Sequence, residues 1–180
     1  MKKIIIIALL LLPIITIAQV KKITIQASGL TCSMCSNAIN KSLQALPFVE
    51  KTIPNIKNSS FDIYLKKEAI YSFDLIKESV EEAGFSVASF YVTIDMNTAV
   101  AAKDQHTLVD GNLFHFINAN NQPLIGEKKI KIVDKGFVTA KEFKANNKYT
   151  TLACYATGKV GTCCKVAENN TSTRVYHVMI

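Results

Sequence analysis

No tryptophan occurs among the 180 residues, and glycine and proline are sparse, with seven and four copies. None of the glycines falls into the spacing of a phosphate-binding loop, no Ser, His and Asp follow triad logic, and no two carboxylates form a readable acid–base motif. Nucleotide-dependent and hydrolytic chemistry therefore have no residues to rest on, and no enzyme activity is expected. The lysines are scattered without the interleaved aromatics of a nucleic-acid-binding surface, so nucleic acid is not an expected partner. Internal repeats and low-complexity tracts are also missing.

What is present begins with a basic and apolar start. Lys2 and Lys3 precede Ile4 to Ile17, an almost unbroken apolar run interrupted by Pro13 and Thr16. It is shorter than the roughly 20 apolar residues that span a bilayer. Thr16-Ile17-Ala18 before Gln19 supplies small residues where a signal peptidase cuts, so residues 1–18 read as a cleaved signal and the mature chain as periplasmic or secreted. No cysteine lies beside Gln19 for lipid attachment. Removing that segment lowers the formal charge from +7 to +5, all of it in the second half, because residues 19–95 carry eight basic and eight acidic side chains. The basic half suits an acidic partner or anionic membrane surface, or simply a solvated exterior.

All five cysteines, Cys32, Cys35, Cys154, Cys163 and Cys164, survive signal removal. In an oxidising compartment an odd number cannot pair completely within one chain, which leaves at least one free, metal-bound or intermolecular.

Alternation from Lys21 to Ser28 predicts a strand, and Gly29 ends it. Thr31 or Ser33 can cap a helix running to about Leu46, with Ala38, Ile39, Leu43 and Leu46 at helical spacing and Pro47 as its stop. Two extended segments, 49–57 and 60–66, follow. A second amphipathic helix spans Ser72 to Ala83, with Phe73, Ile76, Val80 and Ala83 on one face and Gly84 behind it. A last strand runs from Phe85 to Ile94. The order strand, helix, strand, strand, helix, strand predicts an α+β, ferredoxin-like βαββαβ domain over residues 19–96. Residues 97–105 are small and polar, as in a linker. Residues 106–180 hold short apolar runs at 113–117, 129–133, 149–155 and 174–180 with turn residues between them and a brief helix at 139–144. That pattern predicts a small all-β sandwich or OB-like barrel.

Cys32 and Cys35 stand at a strand-to-helix junction. Their spacing lets both sulfurs face one point, and the helix N-terminus favours the thiolate. Such a pair suits Zn, and soft thiolates also select Cu(I). The spacing alone equally fits a redox dithiol, a local disulfide or half of a four-ligand zinc site. Met34 between the cysteines can lend a thioether or simply face solvent.

The surrounding residues separate these readings. Gly29-Leu30-Thr31-Cys32-Ser33-Met34-Cys35 resembles the Gly-Met-Thr-Cys-x-x-Cys signature of the heavy-metal-associated domain family, found in copper chaperones, in the N-terminal arms of copper-transporting ATPases and in periplasmic mercury-binding proteins. The resemblance extends from about Lys21 to Ile94 and includes Gly84-Phe85, where the family places an aromatic near the metal loop; Leu30 departs from the usual Met. It implies that Cys32 and Cys35 bind one ion in a near-surface loop with open coordination, Cu(I) first, with Zn, Hg and Cd as other candidates. Its implied partners are a metal-transporting membrane protein or another metal chaperone. A thioredoxin-like oxidoreductase would share the CxxC junction, but the Trp that precedes it in that family is absent and a hairpin follows where a parallel crossover would be needed.

The second cysteine group, Cys154 with Cys163 and Cys164, has His115 and His177 in the same half as candidate further ligands. It reads either as a second metal site or as one disulfide plus a leftover thiol. His106 falls at the end of the expected linker. Together these observations predict an exported chaperone or scavenger of a soft metal ion, with a periplasmic thiol–disulfide redox protein, or an adaptor presenting metal to a membrane transporter, as alternatives.

Overall fold

The computed structural model describes residues 19–30, 32–119, 122–164 and 173–180; the expected signal segment 1–18 and the candidate cap Thr31 lie outside the described residues. The alternation read from Lys21 onward becomes strand β1 (Gln19–Ser28), with Ile23, Ile25 and Ala27 buried. Helix α1 (Ser33–Gln44) follows, then β2 (Val49–Asn55), a single 3-10 turn, β3 (Ser60–Leu65), α2 (Phe73–Glu82) and β4 (Ser86–Ala101). These strands lie in the order β2-β3-β1-β4, every neighbouring pair antiparallel. This is the expected ferredoxin-like arrangement.

Local chemistry explains the two helices. α1 buries Ser36, Ile39 and Leu43, and α2 buries Phe73, Ile76, Ser79 and Val80, each at three- and four-residue spacing. Ser72 caps α2 by accepting from the Leu75 amide at 3.3 Å. Gly84, with φ of +88°, ends it, while the Phe85 amide turns back to the Val80 carbonyl at 3.2 Å. Small residues let the helices meet: the Ser42 hydroxyl donates to the Ser79 carbonyl at 2.8 Å.

The second half departs from expectation. Residues 97–105 are not a linker, because β4 runs on to Ala101 and β5 (Gln105–Val109) begins four residues later. A separate sandwich or OB-like barrel is not formed among the described residues. β5, β6 (Asn112–Phe116), β7 (Gln122–Ile132) and β8 (Val175–Met179) extend the same sheet to eight strands in the order β2-β3-β1-β4-β7-β8-β6-β5. The physical reason is the free edge of β4. Its unpaired amides and carbonyls take β7 as an antiparallel neighbour from Phe90↔Ile132 to Ala101↔Gln122, leaving no open edge between the halves. Asp110 and Gly111, with φ of +49° and +76°, make the tight turn between β5 and β6. β6 and β8 pair in parallel.

Strands β6 and β8 are buried on both faces, and this places the chemistry of the second half. On one face Phe114, Phe116, Tyr176 and Val178 join the core beneath α2. On the other, Leu113 and Val175 pack with Cys154, Val160 and Cys164, and Ile117 packs with Val133, Val138 and Tyr155. Residues 134–164 cover that second face. The expected helix at 139–144 is α3 (Ala140–Ala145), but the run 149–155, read as a strand, instead leads from a 3-10 turn into the short helix α4 (Ala153–Thr157). Gly158, at φ of +67°, terminates α4, and its amide donates to the Cys154 carbonyl at 2.7 Å.

That glycine has a measurable role. A Cβ there would lie 2.6 Å from Arg174 Nη1, and the left-handed backbone alone costs an L-residue about 1–2 kcal/mol. Gly158→Ala is expected to lower the Tm by roughly 3–8 °C, read by thermal circular dichroism; an unchanged Tm would show that Arg174 moves aside freely.

Candidate functional site

The CxxC pair lies where β1 hands over to α1. Cys32 is the N-cap of α1 with extended backbone, and its sulfur accepts from the Cys35 amide at 3.2 Å. The cap places Cys32 and the first-turn Cys35 on the same side of the helix end, Cα atoms 5.4 Å apart, and the sulfurs are paired as a disulfide. Reduced, the same geometry presents two thiols to one point beside the positive end of a twelve-residue helix, which favours their ionisation. Cys32 is exposed and Cys35 half-buried. Met34 is 84% exposed and points away from the packed core, which fits the solvent-facing reading. Leu30, Ser36, Ile56 and Ser59 line a shallow hollow beside Cys32. Leu30 and Phe85 both pack, half-buried, against the core of this domain, so Leu30 packs as an apolar side chain under the loop.

The structure also brings the second set together. His115 on β6 and His177 on β8 are register partners on the face opposite α2, and α4 places Cys154 over them. The Cys154 sulfur is 3.3 Å from His177 Nε2 and 3.7 Å from His115 Nδ1. All three side chains are buried, with exposures of 1% for Cys154 and 0% for each histidine. The Cys163 and Cys164 sulfurs, 3.7 Å apart, close on Cys154 from the other side, within 4.8 Å. The three cysteines therefore converge, and Cys154 lies between them and the histidines.

Two residues of this neighbourhood, Asp134 and Asp104, had no signal in the sequence, and a third, His106, was assigned to the wrong element. Asp134 accepts from His177 Nδ1 at 2.7 Å and from the His177 amide at 3.2 Å, while Arg174 Nη1 lies 3.2 Å from its other side. Asp104, in the turn before β5, lies 3.3 Å from His115 Nε2. His106 is on β5 rather than in a linker, and it stacks on His115 with ring centroids 4.5 Å apart. Strand register aligns His106, His115 and His177 in one row across β5, β6 and β8. Only the pairing of distant segments creates that row, and no local spacing announces it.

Electrostatics follow from burial. Desolvation and the neighbouring His177 and His106 push His115 down to about 4, against the weaker pull of Asp104, so its ring is neutral near pH 7. Burial first, and then the other two thiols, push the Cys154 thiol well above its ordinary range. Burial also raises Tyr155 to about 12, and its hydroxyl donates to the carbonyls of Val133 and Phe143, each at 3.0 Å. Two chemically different thiol sites result: one exposed at a helix terminus, the other buried among imidazoles.

Comparison with known proteins bears on the first of these. The family description "Heavy-metal-associated domain" matches residues 24–86. No curated protein gave a significant match. Among solved structures, the yeast copper transporter domain Ccc2a is 31% identical over 37% of this chain and 90% of its own, with a TM-score of 0.34. Apo-CopP from Helicobacter pylori is 28% identical over 37% and 98%, with a TM-score of 0.33. A copper binding domain from HMA7, a P-type ATPase, is 28% identical over 37% and 89%, with a TM-score of 0.34. Residues 24–86 of the chain, with the CxxC loop inside them, are a heavy-metal-associated domain.

Proposed function

We propose that this chain is an exported metal carrier that binds one Cu(I) through Cys32 and Cys35 and passes it to a partner protein. The observation that carries this reading is the placement of Cys32 at the N-cap and Cys35 in the first turn of α1, exposed and half-buried, inside a heavy-metal-associated domain. Two thiolates satisfy a soft ion that accepts low coordination numbers, and an exposed loop leaves room for an incoming ligand. Zn, Hg or Cd would find the same sulfurs. Met34 and Ile56, 84% and 66% exposed beside the loop, offer apolar contact to a docking partner such as a metal-transporting membrane protein or another chaperone. Export rests on the sequence of residues 1–18. The role is binding and transfer without catalysis.

A second reading has one observation in its favour, the disulfide between Cys32 and Cys35. A thiol–disulfide exchange protein would use this bond as its working state. The two readings separate cleanly in the full-length chain, reduced and kept anaerobic. Cu(I) stoichiometry, measured by competition with a chromophoric chelator, is expected to fall by one equivalent when Cys32 and Cys35 are both changed to Ser. An unchanged stoichiometry would overturn the copper reading, and insulin reduction at thioredoxin-like rates would establish the redox one.

A further inference from the structure

We infer that His115, His177 and Cys154 form a second, buried metal site, independent of the CxxC loop, for a late first-row ion such as Zn(II) or copper. Cys163 and Cys164 form a separate triad with the same Cys154 sulfur. The first argument is distance. Bonds of about 2.3 Å to sulfur and 2.05 Å to nitrogen, meeting at the tetrahedral angle, put the two donors about 3.6 Å apart. The observed separations from the Cys154 sulfur, 3.3 Å to His177 Nε2 and 3.7 Å to His115 Nδ1, bracket that value.

The second argument is the outer layer. Each histidine turns its far nitrogen to a carboxylate: Nδ1 of His177 to Asp134 at 2.7 Å and Nε2 of His115 to Asp104 at 3.3 Å. Each ring thus turns one nitrogen outward to a carboxylate and its other nitrogen toward the Cys154 sulfur. Metal-binding histidines are oriented and made more basic by this kind of partner. Asp134 is itself held by Arg174 and by the His177 amide, and Asp104 adopts φ of +59°, a conformation a side-chain-bearing residue takes less readily than glycine, at the position that reaches His115.

The third argument is convergence: two imidazole nitrogens and one sulfur face one point in a place shut off from water. His106 Nε2, next in the row, is buried without a partner. A cation meets the facing nitrogens of His115 and His177 and the Cys154 sulfur at once; on its binding, the S–Cys154 proton leaves to solvent and the thiolate bonds the ion. The alternative, a Cys154 disulfide to Cys163 or Cys164, would use up the thiol that faces both histidines.

The test uses the full-length Cys32→Ser/Cys35→Ser protein, reduced and anaerobic, so that only the second site can respond. One equivalent of Co(II) is expected to produce a near-ultraviolet thiolate-to-cobalt charge-transfer band that Zn(II) abolishes by displacement. A parallel Cu(I) titration by chelator competition reads copper preference. Cys154→Ser is expected to abolish tight binding. Because that change sits in the core, two milder variants stand beside it: His177→Gln, and Asp104→Asn on the exposed turn, the latter weakening affinity by about 10–100-fold. Failure of the folded, reduced protein to retain Co(II), Zn(II) or Cu(I) overturns the proposal, as does affinity unchanged in both His177→Gln and Asp104→Asn.

Discussion

Phe73→Ala is expected to lower stability by about 3–5 kcal/mol, the range for emptying a fully buried phenylalanine site. Phe73 opens α2 in the metal-associated domain, yet its ring reaches across the sheet. Ring centroids lie 5.8 Å from Phe90, 5.9 Å from Phe114, 5.0 Å from Tyr176 and 5.4 Å from Tyr71, and its side chain is fully buried. Two of those neighbours belong to β6 and β8, so one truncation leaves a cavity shared by both halves. Urea unfolding followed by far-ultraviolet circular dichroism is expected to show one transition, displaced as a whole. Two resolved transitions with only one displaced would show that the halves unfold separately despite their common sheet, and would restore a boundary near residue 96.

Asp134→Ala should produce a loss of similar size, about 3–5 kcal/mol, through a different mechanism. The carboxylate is nearly buried and accepts from the ring and the amide of His177 while facing Arg174. Truncation leaves two buried donors without acceptors, each costing about 1–3 kcal/mol, and strips one partner from a guanidinium otherwise held by Asp74 at 2.9 Å. Asp134→Asn keeps an acceptor in place and should lose less than half as much. Chemical denaturation of the metal-free protein reads both. If Ala and Asn cost the same, charge rather than hydrogen bonding dominates the site; if neither costs more than about 1 kcal/mol, the Arg174–Asp134–His177 chain contributes little to the fold.

The first half was legible because its strands have one buried face. Phe61, Ile63 and Leu65 alternate with Asp62, Tyr64 and Lys66, and both helices carry their caps and stops in sequence. Even there one detail escaped: the cap of α1 is Cys32 of the CxxC pair itself rather than Ser33. In the second half the short apolar runs at 113–117 and 174–180 were found, but strands buried on both sides do not alternate, and nothing local says which strand each will join. The run 149–155 looked extended from its composition, whereas Gly158 turned it into a helix end. Residues 97–101 looked like a connection because they are small; their role depends on β7, three elements further on. The same limit governs the second site. Cys154, His115 and His177 could be nominated together from their residue types, but Asp134, Asp104 and the His106 row exist only once β5, β6 and β8 are in register.

The sheet order has a consequence for the time course of folding. β8 follows every other described strand in sequence, yet it lies between β7 and β6, joining the block β2-β3-β1-β4-β7 to the hairpin β6-β5. A chain that has formed all seven other strands still consists of two separate pieces, each with an edge of unsatisfied amides facing the gap. Closing that gap requires ordering a long stretch of chain before the contacts that reward it exist, the kind of non-local pairing that slows folding. Residues 175–179 thus act as a keystone: the pairing that makes the sheet continuous also sets the His115–His177 register and brings in the Arg174 contacts.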